Sequence, residues 1–408
     1  MPSLDAIARG LRSALHFGAT GPPSEGPTLG ELMSDIRTID HMVTHVSTVP
    51  AIAGQTMRQF VREKVPATIA DRTGGYALGG KVVLMVHGGF WPSTVAFDCP
   101  HPAMSWMEAL AQAGYDVFTL DMTGHGRSAL ALQDDPRNLA PEDRARLTAG
   151  IVVPRDMSVP APYPFRLVTS DSEAADIDAV VDFIRWRRGV DRIKMIGWSG
   201  GGIRIGTYAL RHPDKVERLV IWASSNYRPD GPDHPPSSLP LPGYPCTFQT
   251  RAHGEDVRWR ANIRCPGQVD DDDVFETVWR AGAEADPVGA AWGGLRGPSR
   301  TYWGWTRKGA AQLSLPVLVM VGECDRLLAS NIDLFGDLGT SRKVFLQIAC
   351  ASHFMMWERG RHVQRRAALE WLEHGTLDGN RTGTYRANEA GVIAAAAPAL
   401  PPPEIAGT

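Results

Sequence analysis

Residues 194–202 read KMIGWSGGG, a short apolar run that ends at a serine among glycines. The apolar run is typical of a buried strand, and residues 203–210 have helical character. The sequence therefore predicts a strand, a sharp turn and a helix, with Ser199 at the turn. Such a turn strains the backbone of the serine, so Gly197 and Gly201 are needed where a Cβ would collide with neighbouring backbone. We expect a hydroxyl held above the edge of a sheet at the N-terminus of a helix.

Further apolar runs have the length of buried strands and alternate with predicted helices. These runs are residues 81–86, 115–120, 217–223, 315–321 and 343–348. A capping box of Ser170 and Glu173 is predicted to begin a helix that runs to Trp186, and an antiparallel hairpin is predicted between Met42 and Pro66. This alternation predicts an α/β fold, with a mainly parallel, doubly wound sheet and helices on both faces.

The alternation of strand and helix patterns also divides the chain into segments. A leader spans residues 1–35, and the first part of the α/β core spans 36–225. The alternation stops in residues 226–313, which are rich in proline and glycine and then in tryptophan, and which we interpret as an insertion. The second part of the core spans 314–375. Residues 376–408 are polar and then rich in alanine and proline, a composition that predicts a disordered tail.

The composition argues against nucleic-acid and membrane partners. The 408 residues carry a formal net charge of −3, with 43% hydrophobic and 21% charged residues, which is ordinary for a globular protein. No apolar run approaches the length of a membrane span, and the N-terminus lacks the apolar core of a signal peptide. The five cysteines are scattered and show no C-x-x-C spacing. This usage is typical of reduced thiols, so we predict a cytoplasmic protein.

Short motifs at the ends of the predicted strands together resemble those of the α/β-hydrolase family. They are His-Gly-Gly at 87–89, Gly-His-Gly-Arg-Ser at 124–128, Gly-Trp-Ser-Gly-Gly at 197–201, Gly-Glu-Cys-Asp at 322–325 and Ser-His-Phe at 352–354. The resemblance covers roughly residues 40–375. It implies the sheet described above, with residues 226–313 as an inserted helical cap, and the family's order of nucleophile, acid and histidine.

The resemblance implies a catalytic triad of Ser199, Asp325 and His353. A serine hydroxyl is a poor nucleophile unless a base removes its proton as it attacks, and an imidazole suits that task. The acid must orient the imidazole and stabilise its cation. Asp325 matches the family's Gly-x-x-Asp pattern, whereas Glu323 on the same turn is interpreted as a solvated charge.

An oxyanion hole requires backbone N–H groups directed at the developing negative charge. The resemblance implies that one N–H comes from Gly200, directly after the nucleophile. The other is expected from the His-Gly-Gly loop, either from Gly89 or from Phe90. These backbone groups complete the predicted site.

Other polar residues in or near the motifs are given structural roles. His87 and His125 are predicted to support loop backbone, and Asp121 is predicted to hydrogen-bond neighbouring loops. The acidic run at 270–273 lacks the ligand spacing of a calcium loop and precedes a predicted helix, so we interpret it as acids at a helix N-terminus. No metal site is predicted from it.

The sequence thus predicts a serine hydrolase that cleaves a small ester or lactone through an acyl-enzyme, without a metal or an organic cofactor. Most tryptophans in the insertion are interpreted as core residues, but as a group on an inserted cap they also suggest an apolar or aromatic substrate. They are Trp259, Trp279, Trp292, Trp303 and Trp305. The expected partner is a small-molecule substrate, with no nucleic acid and no membrane, and a homodimer is allowed.

Alternatives remain open at this point. The run His-Gly-Gly-Phe-Trp at 87–91 resembles the oxyanion motif of kynurenine-formamidase-like amidases, and carbon–carbon bond hydrolases and cofactor-free haloperoxidases share the same triad. Epoxide hydrolases and haloalkane dehalogenases are disfavoured because their nucleophile is an aspartate. A catalytically silent binding protein of this fold is a hypothesis from another class. Such proteins usually lack a triad member, and this chain lacks none.

Overall fold

The computed structural model describes residues 35–70, 80–101, 104–147, 161–225 and 227–399. Nearly all of the predicted leader and the end of the predicted tail therefore lie outside the described residues. No helix within the described ranges is long and apolar enough to cross a lipid bilayer.

Among the residues that the structure describes, fourteen strands form one large and two small sheets. The strands are β1 Ile36–Val46, β2 Thr56–Pro66, β3 Val82–Val86, β4 Asp116–Leu120, β5 Val168–Thr169, β6 Ile193–Trp198, β7 Val216–Trp222, β8 Cys246–Thr250, β9 Gly294–Pro298, β10 Arg300–Thr301, β11 Val317–Gly322, β12 Lys343–Ile348, β13 Gly383–Ala387 and β14 Ile393–Ala395. The strands predicted from the apolar runs are all confirmed, as is the antiparallel hairpin, which is formed by β1 and β2.

The large sheet has the strand order β1-β2-β4-β3-β6-β7-β11-β12-β13-β14. Its central strands, from β4 to β13 in that order, are parallel, and antiparallel strands lie at both edges. Because the central strands are parallel, their carboxyl ends meet at one edge of the sheet. The loops after β3, β4, β6, β7, β11 and β12 therefore gather at that edge.

Helices cover both faces of the sheet. They are α1 Ala67–Ala70, α2 Ser93–Phe97, α3 Trp106–Gln112, α4 Pro141–Arg144, α5 Ser170–Arg188, α6 Gly200–Arg211, α7 Val274–Ala285, α8 Pro287–Ala291, α9 Arg307–Gln312, α10 Leu328–Asp337 and α11 Arg361–His374. On β3, Val83 and Met85 pack in the core cluster that includes α3 and α11, whereas Val82, Leu84 and Val86 pack in the cluster that includes α5 and α6. Burial on both faces explains the continuous apolar runs.

The start of α5 differs from the prediction. The N–H of Ser172 donates to the Thr169 hydroxyl at 3.1 Å, and the N–H of Thr169 donates to the Ser172 hydroxyl at 2.9 Å. The capping box therefore uses this pair, and the prediction of Ser170 with Glu173 is wrong. Glu173 is instead buried, with 4% of its surface exposed. Its carboxylate binds two arginines, which no local helix rule could reveal.

The insertion, described from residue 227 to 313, connects β7 to β11, which are neighbours in the sheet. It contains α7, α8 and α9 and a π-helical turn at His253–Val257. It also contains strands, since β8 pairs antiparallel with β9 and β10 pairs with β5. The prediction of a helical insertion is therefore confirmed only in part. Short apolar pieces do not distinguish helix from strand by periodicity.

The prediction of a disordered tail is wrong for residues 383–395, because these residues extend the sheet. β13 pairs parallel with β12, and β14 pairs antiparallel with β13. The Gln347 side chain on β12 also hydrogen-bonds the backbone of Ala399 at 2.9 Å. The tail satisfies the backbone groups of a strand that would otherwise lie at the sheet edge. Composition alone does not reveal that the tail forms these hydrogen bonds with a distant strand.

A disulfide joins Cys265 of the insertion to Cys350, which follows β12. The prediction of reduced thiols is wrong for these two residues, whereas Cys99, Cys246 and Cys324 are free and buried. The paired cysteines are 85 residues apart in the sequence. Their spacing could not identify the pair, because only the fold brings them together.

Candidate active site

Ser199 occupies the sharp turn between β6 and α6. Its backbone has φ 53° and ψ −119°, a strained conformation for a residue with a side chain. A Cβ on Gly197 would lie 2.5 Å from the carbonyl oxygen of Gly201, and a Cβ on Gly201 would overlap the carbonyl oxygen of Val86. The predicted need for these two glycines is therefore confirmed. The turn holds the serine side chain at the edge where the parallel strands end.

The other two predicted triad residues lie on the loops after β11 and β12. Nδ1 of His353 lies 3.0 Å from Oδ2 of Asp325, whose other oxygen accepts the N–H of Leu327 at 2.8 Å. Asp325 is 3% exposed. Ser199 and His353 line one cavity, although no hydrogen bond joins the serine hydroxyl to the imidazole in this structure. That bond is commonly loose in ligand-free sites.

The predicted oxyanion loop lies directly against the serine. A Cβ on Gly88 would be only 2.8 Å from Cβ of Ser199, so the close approach requires glycine there. Gly89 and Phe90 line the cavity, and Phe90 has a positive φ of 64°. Within the described residues, the amides of Gly89 and Phe90 donate no hydrogen bond. Gly200 is the first residue of α6, where opening N–H groups have no intrahelical partner.

Arg204, which was not identified from the sequence, hydrogen-bonds the backbone of this loop. Its Nη1 donates to the carbonyl oxygens of His87 and Gly88, at 2.6 and 3.1 Å. Its Nε donates to Glu173 at 2.9 Å, and the whole residue is buried, with 2% of its surface exposed. Arg204 lies on the buried face of the helix that follows Ser199. Its position one turn into that helix was the available signal.

His87 links two strand-end loops, as predicted. The N–H of Met122 donates to Nε2 of His87 at 3.1 Å, so the proton of the neutral ring lies on Nδ1, which donates to the carbonyl oxygen of Gly88 at 2.8 Å. Burial lowers the pKa of His87 well below its ordinary value, and the charges of Arg204 and Arg300 add to this effect. His87 is therefore a neutral structural residue.

Asp121, His125 and Glu323 also lie outside the triad geometry. Asp121 accepts from the N–H and hydroxyl of Ser93 at 2.8 and 2.7 Å, which confirms its role between loops. Nε2 of His125 accepts from Arg300 at 3.0 Å, and burial lowers the pKa of His125 well below its ordinary value. Glu323 is partly exposed, as predicted for a solvated charge, and it also forms an ion pair with Arg386 of β13 at 3.0 Å.

The loop that carries His353 is fixed by a buried carboxylate that sequence reasoning also missed. Glu358 accepts hydrogen bonds from the N–H and hydroxyl of Ser352, from Nε1 of Trp259 at 2.9 Å and from Gln268 at 3.1 Å. Burial raises the pKa of Glu358. Trp259 and Gln268 belong to the insertion. The insertion therefore supports the backbone next to His353 through both Glu358 and the disulfide.

The cavity at Ser199 has a volume of about 310 Å³. Its apolar lining comes from Phe90, Trp91, Trp198, Leu327 and Phe354. None of the five tryptophans of the insertion lines it within the described residues, so the reason given for an apolar or aromatic substrate is wrong. Trp259 packs on Trp357 and Phe354 in the core, and Trp303 and Trp305 line a neighbouring cavity. These tryptophan side chains are buried and contribute to packing rather than to the cavity at Ser199.

The remaining lining of the cavity is polar and basic. Besides Gly89, Ser199 and His353, it consists of Ser225, Arg258, Arg300 and Arg326, with no carboxylate among the described lining residues. Arg326 directly follows Asp325 in the sequence, so its place near the site could have been inferred. Arg258 and Arg300 lie in the insertion, where no motif marks them. These three arginines give the cavity a cationic lining that was not predicted from the sequence.

Comparisons with known proteins give the following results. The sequence model of a family described by the α/β hydrolase fold matches residues 81–242. No curated protein matches the chain. The chain is similar to the naproxen esterase of Bacillus subtilis, with 14% identity, a TM-score of 0.46, and 84% of this chain and 98% of that chain covered.

Two further solved structures have comparable values. An esterase from a Rhodococcus species has 16% identity and a TM-score of 0.49, with 82% of this chain and 99% of that chain covered. A bromoperoxidase from Bacillus anthracis has 16% identity and a TM-score of 0.45, with 82% of this chain and 100% of that chain covered. Likenesses at this level carry no argument about activity.

Proposed function

We propose that this chain, whose residues 81–242 match the family model described by the α/β hydrolase fold, is a serine hydrolase that cleaves a small carboxylic ester or lactone. One observation carries the proposal. The strained Ser199 shares a cavity with His353, and Nδ1 of His353 lies 3.0 Å from the buried carboxylate of Asp325. Three residues from separate loops that are chemically suited to act as nucleophile, base and orienting acid thus lie near one another, which supports the proposal.

In the first half of the reaction, Oγ of Ser199 attacks the carbonyl carbon while Nε2 of His353 takes the hydroxyl proton. The carbonyl oxygen becomes an oxyanion, which accepts hydrogen bonds from Gly200 and from Gly89 or Phe90. Each such donor is worth about 3 kcal/mol of transition-state stabilisation. The carbon–oxygen bond of the ester then breaks, and the imidazolium gives its proton to the leaving alkoxide. The product is an alcohol and an acyl-enzyme.

In the second half, His353 takes a proton from water as the water oxygen attacks the acyl-enzyme. The tetrahedral intermediate collapses, the bond to Oγ breaks, and His353 returns the proton to Ser199. The carboxylic acid product leaves, and the enzyme is regenerated. Asp325 stabilises the imidazolium in both halves.

We also propose that the insertion acts as the cap of this site. Arg258 and Arg300 of the insertion line the cavity, and the Cys265–Cys350 disulfide fastens the insertion to the His353 loop. A cap in this position excludes water and contacts the substrate, which gives it a direct role in specificity.

The test of the nucleophile compares Ser199→Ala with Ser330→Ala, which lies on α10 outside the cavity. Ser199→Ala should abolish hydrolysis of p-nitrophenyl acetate while Tm stays nearly unchanged, and Ser330→Ala should retain activity. A fluorophosphonate probe should label the wild-type protein and the control but not Ser199→Ala. Residual activity of Ser199→Ala above about a tenth of wild type, with labelling elsewhere, would refute the assignment.

A further inference from the structure

Three guanidinium groups from separate parts of the chain surround the cavity at Ser199. Arg258 follows the π-helical turn of the insertion, Arg300 lies on β10, and Arg326 follows Asp325. We call Arg258, Arg300 and Arg326 the arginine wall. No acidic side chain lines the cavity in the described part of the chain. The rest of the lining is largely apolar, with Trp91, Trp198 and Phe354 among its residues. The cavity therefore combines a cationic and an apolar lining.

Two members of the arginine wall have no carboxylate partner. Neither Arg258 nor Arg326 forms an ion pair with a described residue. Nη1 of Arg258 donates to Oε1 of Gln249 at 2.9 Å, and its Nε is buried without a hydrogen-bond partner. Burial lowers the pKa of Arg258 to about 10, and the charge of Arg326 adds to the shift. Arg258 is half-buried, whereas Arg326 is exposed, so the partly desolvated charge of Arg258 would gain most from an anion supplied by a ligand.

The third member, Arg300, pairs with one carboxylate among the described residues, and it shares that carboxylate with another arginine. Nε of Arg300 lies 3.1 Å from Oε1 of Glu173, the same oxygen that accepts from Arg204. One negative charge thus faces two guanidinium groups, and one positive charge remains. His125, which accepts from Arg300, and the neighbouring His87 are neutral because burial lowers the pKa of each. The surroundings of Arg300 therefore stay cationic.

Arg300 also reaches the reacting centre. Its Nη1 would lie 3.6 Å from a Cβ built on Gly89 and 3.8 Å from one built on Gly200. These are two of the residues whose amides we assign to the oxyanion hole. A negative group of the substrate bound by Arg300 would therefore lie in the same cavity as the ester carbonyl, a short chain away from it.

We propose that the substrate is an anionic ester or lactone, in which a free carboxylate on the acyl part binds the arginine wall while the ester carbonyl faces Ser199. Monoesters of short dicarboxylic acids have this form. The inference rests on the proposed hydrolase function and names its substrate class. Guanidinium groups bind carboxylates through paired, charge-assisted hydrogen bonds. The methylene chain between the two groups packs against Trp91, Trp198 and Phe354.

The kinetic test uses matched ester pairs: the monomethyl and dimethyl esters of succinic, glutaric and adipic acid, assayed by pH-stat. The wild-type protein should favour at least one monoester over its diester by about 10-fold or more in kcat/KM. Arg258→Met and Arg326→Met should each lower kcat/KM for the monoester by about 10- to 100-fold and change the diester by less than about 3-fold. Arg258→Lys should restore part of the loss.

Arg251→Met is the matched control. Arg251 lies in the same insertion but forms ion pairs with Glu255 and Glu276 and lies outside this cavity. Its loss should leave the monoester preference unchanged. The proposal is overturned if the diesters are preferred throughout, or if Arg258→Met and Arg326→Met lower both esters of a pair equally. An equal loss would assign the arginines to general transition-state stabilisation.

A binding test separates this inference from the proposed function. Ser199→Ala should bind adipate or glutarate, followed by tryptophan fluorescence, more tightly than the neutral diamides, and Arg258→Met should remove the difference. Binding of this kind without any ester hydrolysis by the wild type would sink the hydrolase assignment and keep the anion site. Ester hydrolysis without dicarboxylate binding would overturn the anion site and keep the hydrolase assignment. Tighter binding of inorganic phosphate than of either dicarboxylate would overturn the carboxylate assignment.

Discussion

Two groups of residues at the Ser199 cavity differ in how the protein holds them. The strand-end floor consists of Ser199, Asp325, His353 and the loop at 87–90; His353 pairs with Asp325, and close packing around Gly88, Gly197 and Gly201 leaves no room for a Cβ. The arginine wall carries charge that the described protein does not neutralise. The geometry of the floor is therefore fixed by packing within the protein, whereas the charge of the wall has no full counterpart among the described residues. On the two proposals above, the floor carries out the chemistry and the wall selects the substrate.

The largest expected effect concerns the floor. Asp325→Asn should lower kcat by about 10⁴-fold, because the amide neither orients the imidazole correctly nor stabilises its cation. Unlike the wall variants, it should affect neutral and anionic esters alike. Steady-state assays with p-nitrophenyl acetate and with the methyl esters check this. Asp333→Asn, at an exposed position on α10, serves as the control. Retention of more than about a tenth of the activity would place the acid elsewhere.

A second prediction tests how rigidly the floor is packed. Gly201→Ala should lower the free energy of unfolding by about 3 kcal/mol or more, because the new Cβ meets the backbone of Val86. Gly200→Ala should change it by less than about 1 kcal/mol, since the nearest atom would lie 3.7 Å away. Urea unfolding followed by fluorescence measures both. Equal effects of the two substitutions would mean that the elbow is more tolerant than its geometry implies.

The third prediction concerns the link between wall and floor. Loss of the Cys265–Cys350 disulfide should lower the free energy of unfolding by about 2–4 kcal/mol, because the unfolded chain gains freedom. Urea unfolding with and without a reductant measures the effect in the wild type. The double variant Cys265→Ala and Cys350→Ala should unfold like the reduced wild type and should not respond to reductant. A response in the double variant would point to other cysteines.

The smallest expected effect is a change in how the free energy of unfolding depends on pH, and it concerns His125, which contacts Arg300 of the wall. The folded pKa of His125 lies well below the unfolded value of about 6.5, so the unfolded chain binds more protons below that pH. The stability that neutral His125 contributes is complete above about pH 6.5 and is lost as the pH falls toward the folded pKa. The loss amounts to at most about 1.4 kcal/mol per pH unit.

His125→Asn, which keeps an acceptor for Arg300, should therefore lose less stability than the wild type between about pH 7.5 and pH 5.5. Urea unfolding at the two pH values measures this difference. His374→Asn, at an exposed position on α11, should behave like the wild type. Identical losses in wild type and His125→Asn would remove His125 from the pH response.

Much of the floor could be predicted because its signals are local. The elbow glycines, the strand ends and the order of Ser199, Asp325 and His353 each follow from a few neighbouring residues and from the rule that parallel strands end at one edge. The corrections share the opposite property. Glu173 leaves its capping position to bind Arg204 and Arg300, and neither arginine lies near it in the sequence.

The sequence alone established the sheet and the residues expected to carry out catalysis, because backbone strain, apolar periodicity and strand polarity act over short stretches of chain. Tertiary structure decided the edge strands of the tail, the disulfide, the buried carboxylate of Glu358 and the arginine wall. Each of these depends on contacts between segments far apart in the chain, and the insertion that supplies Arg258 and Arg300 has no periodic pattern to report where its side chains lie.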